Sequence, residues 1–337
     1  MKLNFNQIKQ ITIGAVDIKE ENGVVSFSRF TDEQKNVYLN HSKPFYDRTQ
    51  ATAGIKLYFR TNSKNLFIKV GTSFSTERTF FSMDVFVNKC PIGYIDNFSE
   101  MELTRDYVQE EYLLGEASKN FMLGDGEKTV CVYFPYTVKA VIKEISIDDD
   151  AFVEGIKPKK KLMMFGDSIT QGHDALRPSN CYTPQIAEML EAEEFNKGMS
   201  GGTYFPELAE LKDSFVPDYI TVAYGTNDWG CREEETFKSK CNAFYSNLSK
   251  NYPHAKIFAI TPIWRKDKDE CKEIGPFEIM AQHIREIAEK YKNVTVIFGQ
   301  DLVPEDENFF ADFVLHPNDD GFKHYVKNLY DKIKTEI

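Results

Sequence analysis

The stretch Lys161-Leu162-Met163-Met164-Phe165-Gly166-Asp167-Ser168-Ile169-Thr170-Gln171-Gly172 decides the fold. Its apolar run, Leu162 to Phe165, is too short for a helix and is bounded by Lys161 and Gly166, so it reads as a buried strand. The polar Gly-Asp-Ser-Ile-Thr follows at once. A serine at the tip of a strand-to-helix turn, with Gly166 relieving backbone crowding, is held out into a cleft. Ser168 is therefore the candidate nucleophile.

Downstream, strand patterns alternate with helical ones. Further strands are expected near Glu194–Asn196 and over Tyr219–Ala223, Lys256–Ile260 and Val294–Phe298. Thr183-Pro184 reads as a helix start with Ile186, Met189 and Leu190 on one face. Phe277, Met280, Ile284, Ile287 and Tyr291 repeat at three and four, as do Tyr325, Val326, Leu329 and Ile333. Strand-helix alternation predicts an α/β domain with a parallel sheet covered on both faces. Ligands then bind at the carboxyl ends of the strands, where Ser168 lies.

Upstream, from Ile11 to about Phe152, the pattern has period two: Ile55, Leu57, Phe59; Leu66, Ile68, Val70; Met83, Val85, Val87; Val130, Val132, Phe134. Turn formers separate these runs and helical periodicity is nearly absent, so an antiparallel β-sandwich is expected. Asp148-Asp149-Asp150 and the charged, Pro-containing Glu154 to Lys161 mark the change of pattern. At 337 residues two domains are expected, 1–155 and 156–337.

A formal charge of −11 argues against nucleic-acid or anionic-membrane partners, which require clustered Lys and Arg. The run Lys157 to Lys161 reads as a solvated linker. The first residues lack the apolar core of a secretory signal and no stretch suits a bilayer span, so a cytoplasmic protein is expected, or a secreted one if a leader was removed. The six cysteines, Cys90, Cys131, Cys181, Cys231, Cys241 and Cys271, form no CxxC pair, and reduced thiols are expected in place of disulfides or zinc.

Three more stretches bear on Ser168. Asn196-Lys197-Gly198-Met199-Ser200-Gly201-Gly202 follows the second strand of this half, Gly225-Thr226-Asn227-Asp228 the third, and His316-Pro317-Asn318 precedes the last helix. All fall on loops at the sheet's carboxyl edge, in the order serine, glycine, asparagine, histidine. From Lys161 to the C-terminus the chain resembles the SGNH (GDSL-type) hydrolases, named for those four residues, whose domain is a three-layer, flavodoxin-like α/β fold. The resemblance implies Ser168 as nucleophile, His316 as general base, and an oxyanion hole from the backbone N–H groups of Ser168 and Gly201 with the Asn227 amide. The chemistry agrees: an imidazole takes the hydroxyl proton near neutral pH, and fixed donors meet the developing oxyanion. The bland alternative for Asn227 is an Asx turn bracing its own loop.

In this family the third carboxylate commonly stands three residues before the histidine. Position 313 is Phe here, and the nearest acid, Asp312, lies one residue further back. A one-residue bulge would bring Asp312 to the imidazole; otherwise a backbone carbonyl orients His316, and Ser168 and His316 act as a dyad. Asp167 and Asp228 read as loop-holding hydrogen-bonders, and Asp319 and Asp320 as charges at a helix start. His173 is expected at the cleft mouth, within reach of substrate, and His254 in a loop. Trp229 is expected to line the cleft and stack on a sugar ring, Trp264 fits cleft and core equally, and Tyr204 is a further cleft candidate.

An antiparallel domain ahead of an SGNH domain resembles bacterial carbohydrate esterases. Gly54-Ile55-Lys56-Leu57-Tyr58-Phe59-Arg60-Thr61, Asn62-Ser63 and Val130-Cys131-Val132-Tyr133-Phe134-Pro135-Tyr136 are similar to their jelly-roll-like accessory domain. The expected activity is removal of acetyl groups from oligosaccharides through an acyl-enzyme, without metal or organic cofactor. The alternatives are a lipase or acyl-thioesterase on the same frame, and a carbohydrate-binding protein whose catalytic half has decayed. The expected partner is a small-molecule or oligosaccharide ester, and self-association into a homo-oligomer stays open.

Overall fold

In the computed structural model, which describes residues 1–104 and 106–337, the strand Lys160–Gly166 is central to a five-stranded parallel sheet. The spatial order is Ala192–Gly198, Lys160–Gly166, Tyr219–Ala223, Lys256–Ile260, Val294–Ile297. In chain order this is 2-1-3-4-5, the flavodoxin-like arrangement expected, and both neighbours of the first strand run parallel to it. Alternate residues leave by opposite faces. Leu162, Met164, Phe258 and Ile260 pack with Tyr182, Ile186, Phe322, Tyr325 and Leu329 of the helices Tyr182–Met189 and Asp319–Ile333. Met163, Phe165, Ile220, Val222 and Ile257 pack with Phe237, Phe244, Met280 and Ile284 of Glu234–Asn251 and Glu278–Ala288. Layers of helix, sheet and helix result.

The amino-terminal half forms two antiparallel sheets. One runs in the order Thr12–Ile13, Lys56–Thr61, Lys128–Tyr133, Ser82–Val87, Cys90–Asp96, with Glu154–Gly155 also paired to Lys56–Thr61. The other runs Asp17–Glu21, Val24–Ser28, Lys139–Ile147, Asn65–Ser73, Glu116–Met122. Leu57, Phe59, Val85, Val130 and Val132 of the first meet Leu66, Ile68, Val70 and Ile142 of the second in one apolar layer, which is the sandwich the period-two runs predicted.

Helices stand where the sequence showed almost no helical period. Phe5–Ile11, Asp32–His41 and Lys43–Arg48 are helical, the first two opened by capping boxes, Asn4 with Gln7 and Thr31 with Gln34. The helix Asp32–His41 buries only Gln34 and Tyr38, so it has no apolar stripe to read, and its legible signal was the cap. Its Tyr38 packs with Phe30 against the core on one face of the parallel sheet, and Phe80, Val108, Tyr112 and Tyr136 join the core on the other. Among the described residues no helix is long and apolar enough to cross a membrane. All six cysteines are free thiols.

Candidate active site

The sharp turn after Lys160–Gly166 is forced by packing. A Cβ on Gly166 would sit 1.9 Å from the Thr170 hydroxyl and 2.9 Å from the Ala223 carbonyl. Asp167 then caps the short helix Ser168–Gln171, its carboxylate accepting from the Ile169 N–H at 2.9 Å. Ser168 is the first helical residue, so its N–H belongs to the opening turn, which has no intrahelical acceptor. The next loop is held from the amino-terminal half. The buried Arg29 guanidinium donates to the carbonyls of Asn196 and Gly198 at 3.1 and 2.8 Å, and Arg48 donates to the Ser200 carbonyl at 2.9 Å. Gly198 lies so close to Gln171 that a Cβ would stand 2.3 Å from its N–H nitrogen. Gly201 has φ +69°, a left-handed backbone that favours glycine. Asn227, in Thr226–Cys231, donates one amide N–H to the Gly202 carbonyl at 2.9 Å; an asparagine amide carries two.

Ser168 Oγ stands 2.8 Å from His316 Nε2. His316 Nδ1 stands 2.7 Å from Asp312 Oδ2, while Asp312 Oδ1 accepts from the N–H groups of Val314, Leu315 and His316 at 2.9, 2.8 and 3.1 Å. The extra residue in Asp312-Phe313-Val314-Leu315-His316 is absorbed at Phe313, with φ +58°. With Nδ1–H directed at carboxylates, Nε2 is left to accept the serine proton.

A second carboxylate reaches the same nitrogen. Asp174, fully buried at φ +69°, places Oδ2 3.3 Å from His316 Nδ1. Its charge is met by Arg78 from the amino-terminal half, with Nε to Oδ1 at 3.0 Å and Nη2 to Oδ2 at 3.2 Å. The sequence reading missed Asp174 and Arg78. Its only signal was an acid directly after His173; which loop would supply a cation was illegible. Glu77, beside Arg78, bonds the Ser200 hydroxyl and pairs with Arg48 at 3.6 Å, so this loop braces both the glycine turn and the histidine.

Burial opposes charge on His316, but Asp174 and the bonded Asp312 outweigh it and raise its pKa above the ordinary 6.5. Burial likewise opposes ionisation of Asp312, yet its bonds to His316 and to the Leu315 and Val314 N–H groups hold it well below the usual carboxylate range. Burial pushes Asp167 up to about 7 and Asp228 to about 6. Asp174, Asp312 and His316 could each offer a metal one ligand atom, all within 4.8 Å of one another. The Arg78 fork already neutralises Asp174 and both imidazole nitrogens are hydrogen-bonded, so the set fits proton transfer better than a divalent ion.

Three expected cleft residues lie inside the protein instead. Trp229 is 1% exposed, packed edge-on to Phe277 with its indole N–H on the Gly275 carbonyl at 2.9 Å. Tyr204 is fully buried among Tyr224, Phe237, Phe244 and Tyr245. Burial of large aromatics outweighs what an exposed mouth position offers. His173 is 1% exposed, behind His316 at a ring separation of 6.0 Å, and burial lowers its pKa to about 4. It cannot line a mouth. Trp264 is half-buried, tilted on Phe310, and its loop is tied to the histidine loop by the Lys266 N–H on the Val314 carbonyl at 2.9 Å. Asp228 accepts from the Tyr204 N–H and Arg232, Asp319 and Asp320 open the last helix, and His254 is exposed in a turn.

Residues 164–324 match the GDSL-like Lipase/Acylhydrolase family. No curated protein sequence matches the chain. Among solved structures, the salicylyl-acyltransferase SsfX3 from a tetracycline biosynthetic pathway is 18% identical with TM-score 0.78, covering 96% of this chain and 94% of that one. A putative GDSL-like lipase from Bacteroides ovatus is 19% identical with TM-score 0.74, covering 97% and 96%. A family two carbohydrate esterase from Cellvibrio japonicus is 15% identical with TM-score 0.66, covering 98% and 96%. At these identities the likeness is one of fold, and it extends over both halves.

Proposed function

We propose that this chain, whose residues 164–324 match the GDSL-like Lipase/Acylhydrolase family, is a carboxylic ester hydrolase that removes acetyl groups from carbohydrate through an acyl-enzyme on Ser168. The observation that carries this is the 2.8 Å bond from Ser168 Oγ to His316 Nε2, on a ring whose far nitrogen is held by carboxylate.

In this reading Ser168 gives its proton to His316 as Oγ attacks the ester carbonyl. The oxyanion is met by the N–H groups of Ser168 and Gly201 and the second N–H of the Asn227 amide, where one such donor is worth about 3–4 kcal/mol. Asp312 holds the tautomer and offsets the imidazolium charge. The intermediate collapses as His316 returns its proton to the departing sugar oxygen. Water, deprotonated by His316, then frees acetate. Residues 1–155 form an accessory unit that supplies Arg48, Glu77 and Arg78 to the rim, and residues 156–337 the catalytic unit. The sugar substrate is supported by the shared architecture with a family two carbohydrate esterase.

The acyltransferase among the similar structures favours a second reading, in which a hydroxyl acceptor replaces water. Purified protein should hydrolyse p-nitrophenyl acetate faster than butyrate or decanoate, and should release acetate from acetylated xylo-oligosaccharides. Preference for decanoate would make it a lipase. Turnover that requires an added alcohol would make it a transferase.

A further inference from the structure

The outer face of the sheet containing Lys56–Thr61, opposite the sandwich core, is aromatic and basic. Lys56 stands opposite Tyr133, and Tyr58 and Phe86 flank Cys131. Facing them are Ala187 and Glu188 of the helix Tyr182–Met189, Glu191, and the connecting segment from Ile156 to Lys160, enclosing a groove of about 820 Å³. That is within the range of small-molecule sites.

Five lysines line it, Lys56, Lys89, Lys157, Lys159 and Lys160, against Glu188 and Glu191, in a chain of net charge −11. Three are engaged: Lys56 with Glu194 at 3.0 Å, Lys89 with Glu188 at 2.6 Å, and Lys160 with the Tyr219 hydroxyl at 2.9 Å. Lys157 and Lys159, either side of Pro158, are exposed and have no partner among the described residues. Phe86 and Tyr133 meet edge to face at 5.3 Å and Lys56 Nζ lies 5.0 Å over the Tyr133 ring, whereas Tyr58, half-buried beside them, lines the groove. A second concavity of about 180 Å³ shares Phe86, Tyr133 and Glu188 and runs to Asp319 and Lys323 of the last helix, which begins three residues after His316.

We infer that this groove binds an acidic oligosaccharide, with a sugar face on Tyr58 and a uronate carboxylate on Lys157 and Lys159. Glu188 and Glu191 line the same groove. Their carboxylates accept from the hydroxyl donors that line every sugar ring and that a polyphosphate chain lacks. The inference goes beyond the esterase reading and does not need it, since binding here involves no residue of the serine site.

Calorimetric titration of the full chain with trigalacturonate tests it, with xylotriose and ATP as comparison ligands. Saturable trigalacturonate binding is expected, at least tenfold weaker in a Lys157→Glu/Lys159→Glu variant and in Tyr58→Ala, each with unchanged melting, and unaltered in Ser168→Ala. Absence of binding, equal affinity for xylotriose, tighter binding of ATP, or full binding by either groove variant overturns it. Loss of esterase activity in Ser168→Ala with binding intact keeps the two readings apart.

Discussion

Asp174 Oδ2 lies 3.3 Å from Nδ1 of His316, the nitrogen that Asp312 already holds at 2.7 Å. The imidazole is thus flanked by two carboxylates from separate loops, one of them neutralised by Arg78 from the amino-terminal half. Both carboxylates favour the protonated ring more than water does, and the ring has little freedom to turn.

The proton balance of His316 predicts a pH profile. The neutral ring is the active base, so kcat/KM should rise with pH through a pKa above 6.5, the direction in which Asp174 and Asp312 move it. Asp174→Asn removes an attraction for the imidazolium and should carry this limb to lower pH. Arg78 opposes the imidazolium, so Arg78→Ala should carry the limb to higher pH. Shifts of the same sign in both variants would refute the electrostatic account. Asp167, near 7, titrates in the same window, and Asp167→Asn isolates the His316 limb.

Asp312→Ala should lower kcat well over tenfold, since three backbone N–H bonds and the imidazole bond are lost together. A loss of about twofold, checked by initial rates at saturating substrate, would mean that Asp174 alone orients the ring.

Ser168→Ala should abolish hydrolysis of p-nitrophenyl acetate with an unchanged melting temperature. Asn227→Ala should reduce kcat by about 10²–10³-fold. Its remaining role on the Gly202 carbonyl is a single neutral hydrogen bond of about 1 kcal/mol, so little of that loss should appear in stability.

Trp229→Ala should cost about 3–5 kcal/mol of stability, read by urea denaturation, while the KM of the protein that remains folded stays unchanged. A raised KM with wild-type stability would return the indole to the cleft.

How much of this was legible depends on how local the cause is. The succession of strands along the chain and the serine at the strand tip follow from short segments whose period and turn chemistry are self-contained, while the flavodoxin-like order and the glycine, asparagine and histidine loops were implied by the resemblance their motifs carry. Asp312 is legible despite its displaced spacing, and Phe313 in the left-handed region is how the chain absorbs the extra residue. The aromatics failed as cleft markers because a tryptophan after a motif reads the same whether it points out or in; Phe277 and the Gly275 carbonyl, some fifty residues away, take it in. Sequence alone determined the strand–turn–helix succession and the serine at its tip, because backbone turns and apolar alternation act over a few residues. Only the tertiary structure decided which charges surround the histidine, because Arg78, Asp174 and Asp312 are brought together by the packing of one half on the other, and electrostatic energy depends on distance through space and not along the chain.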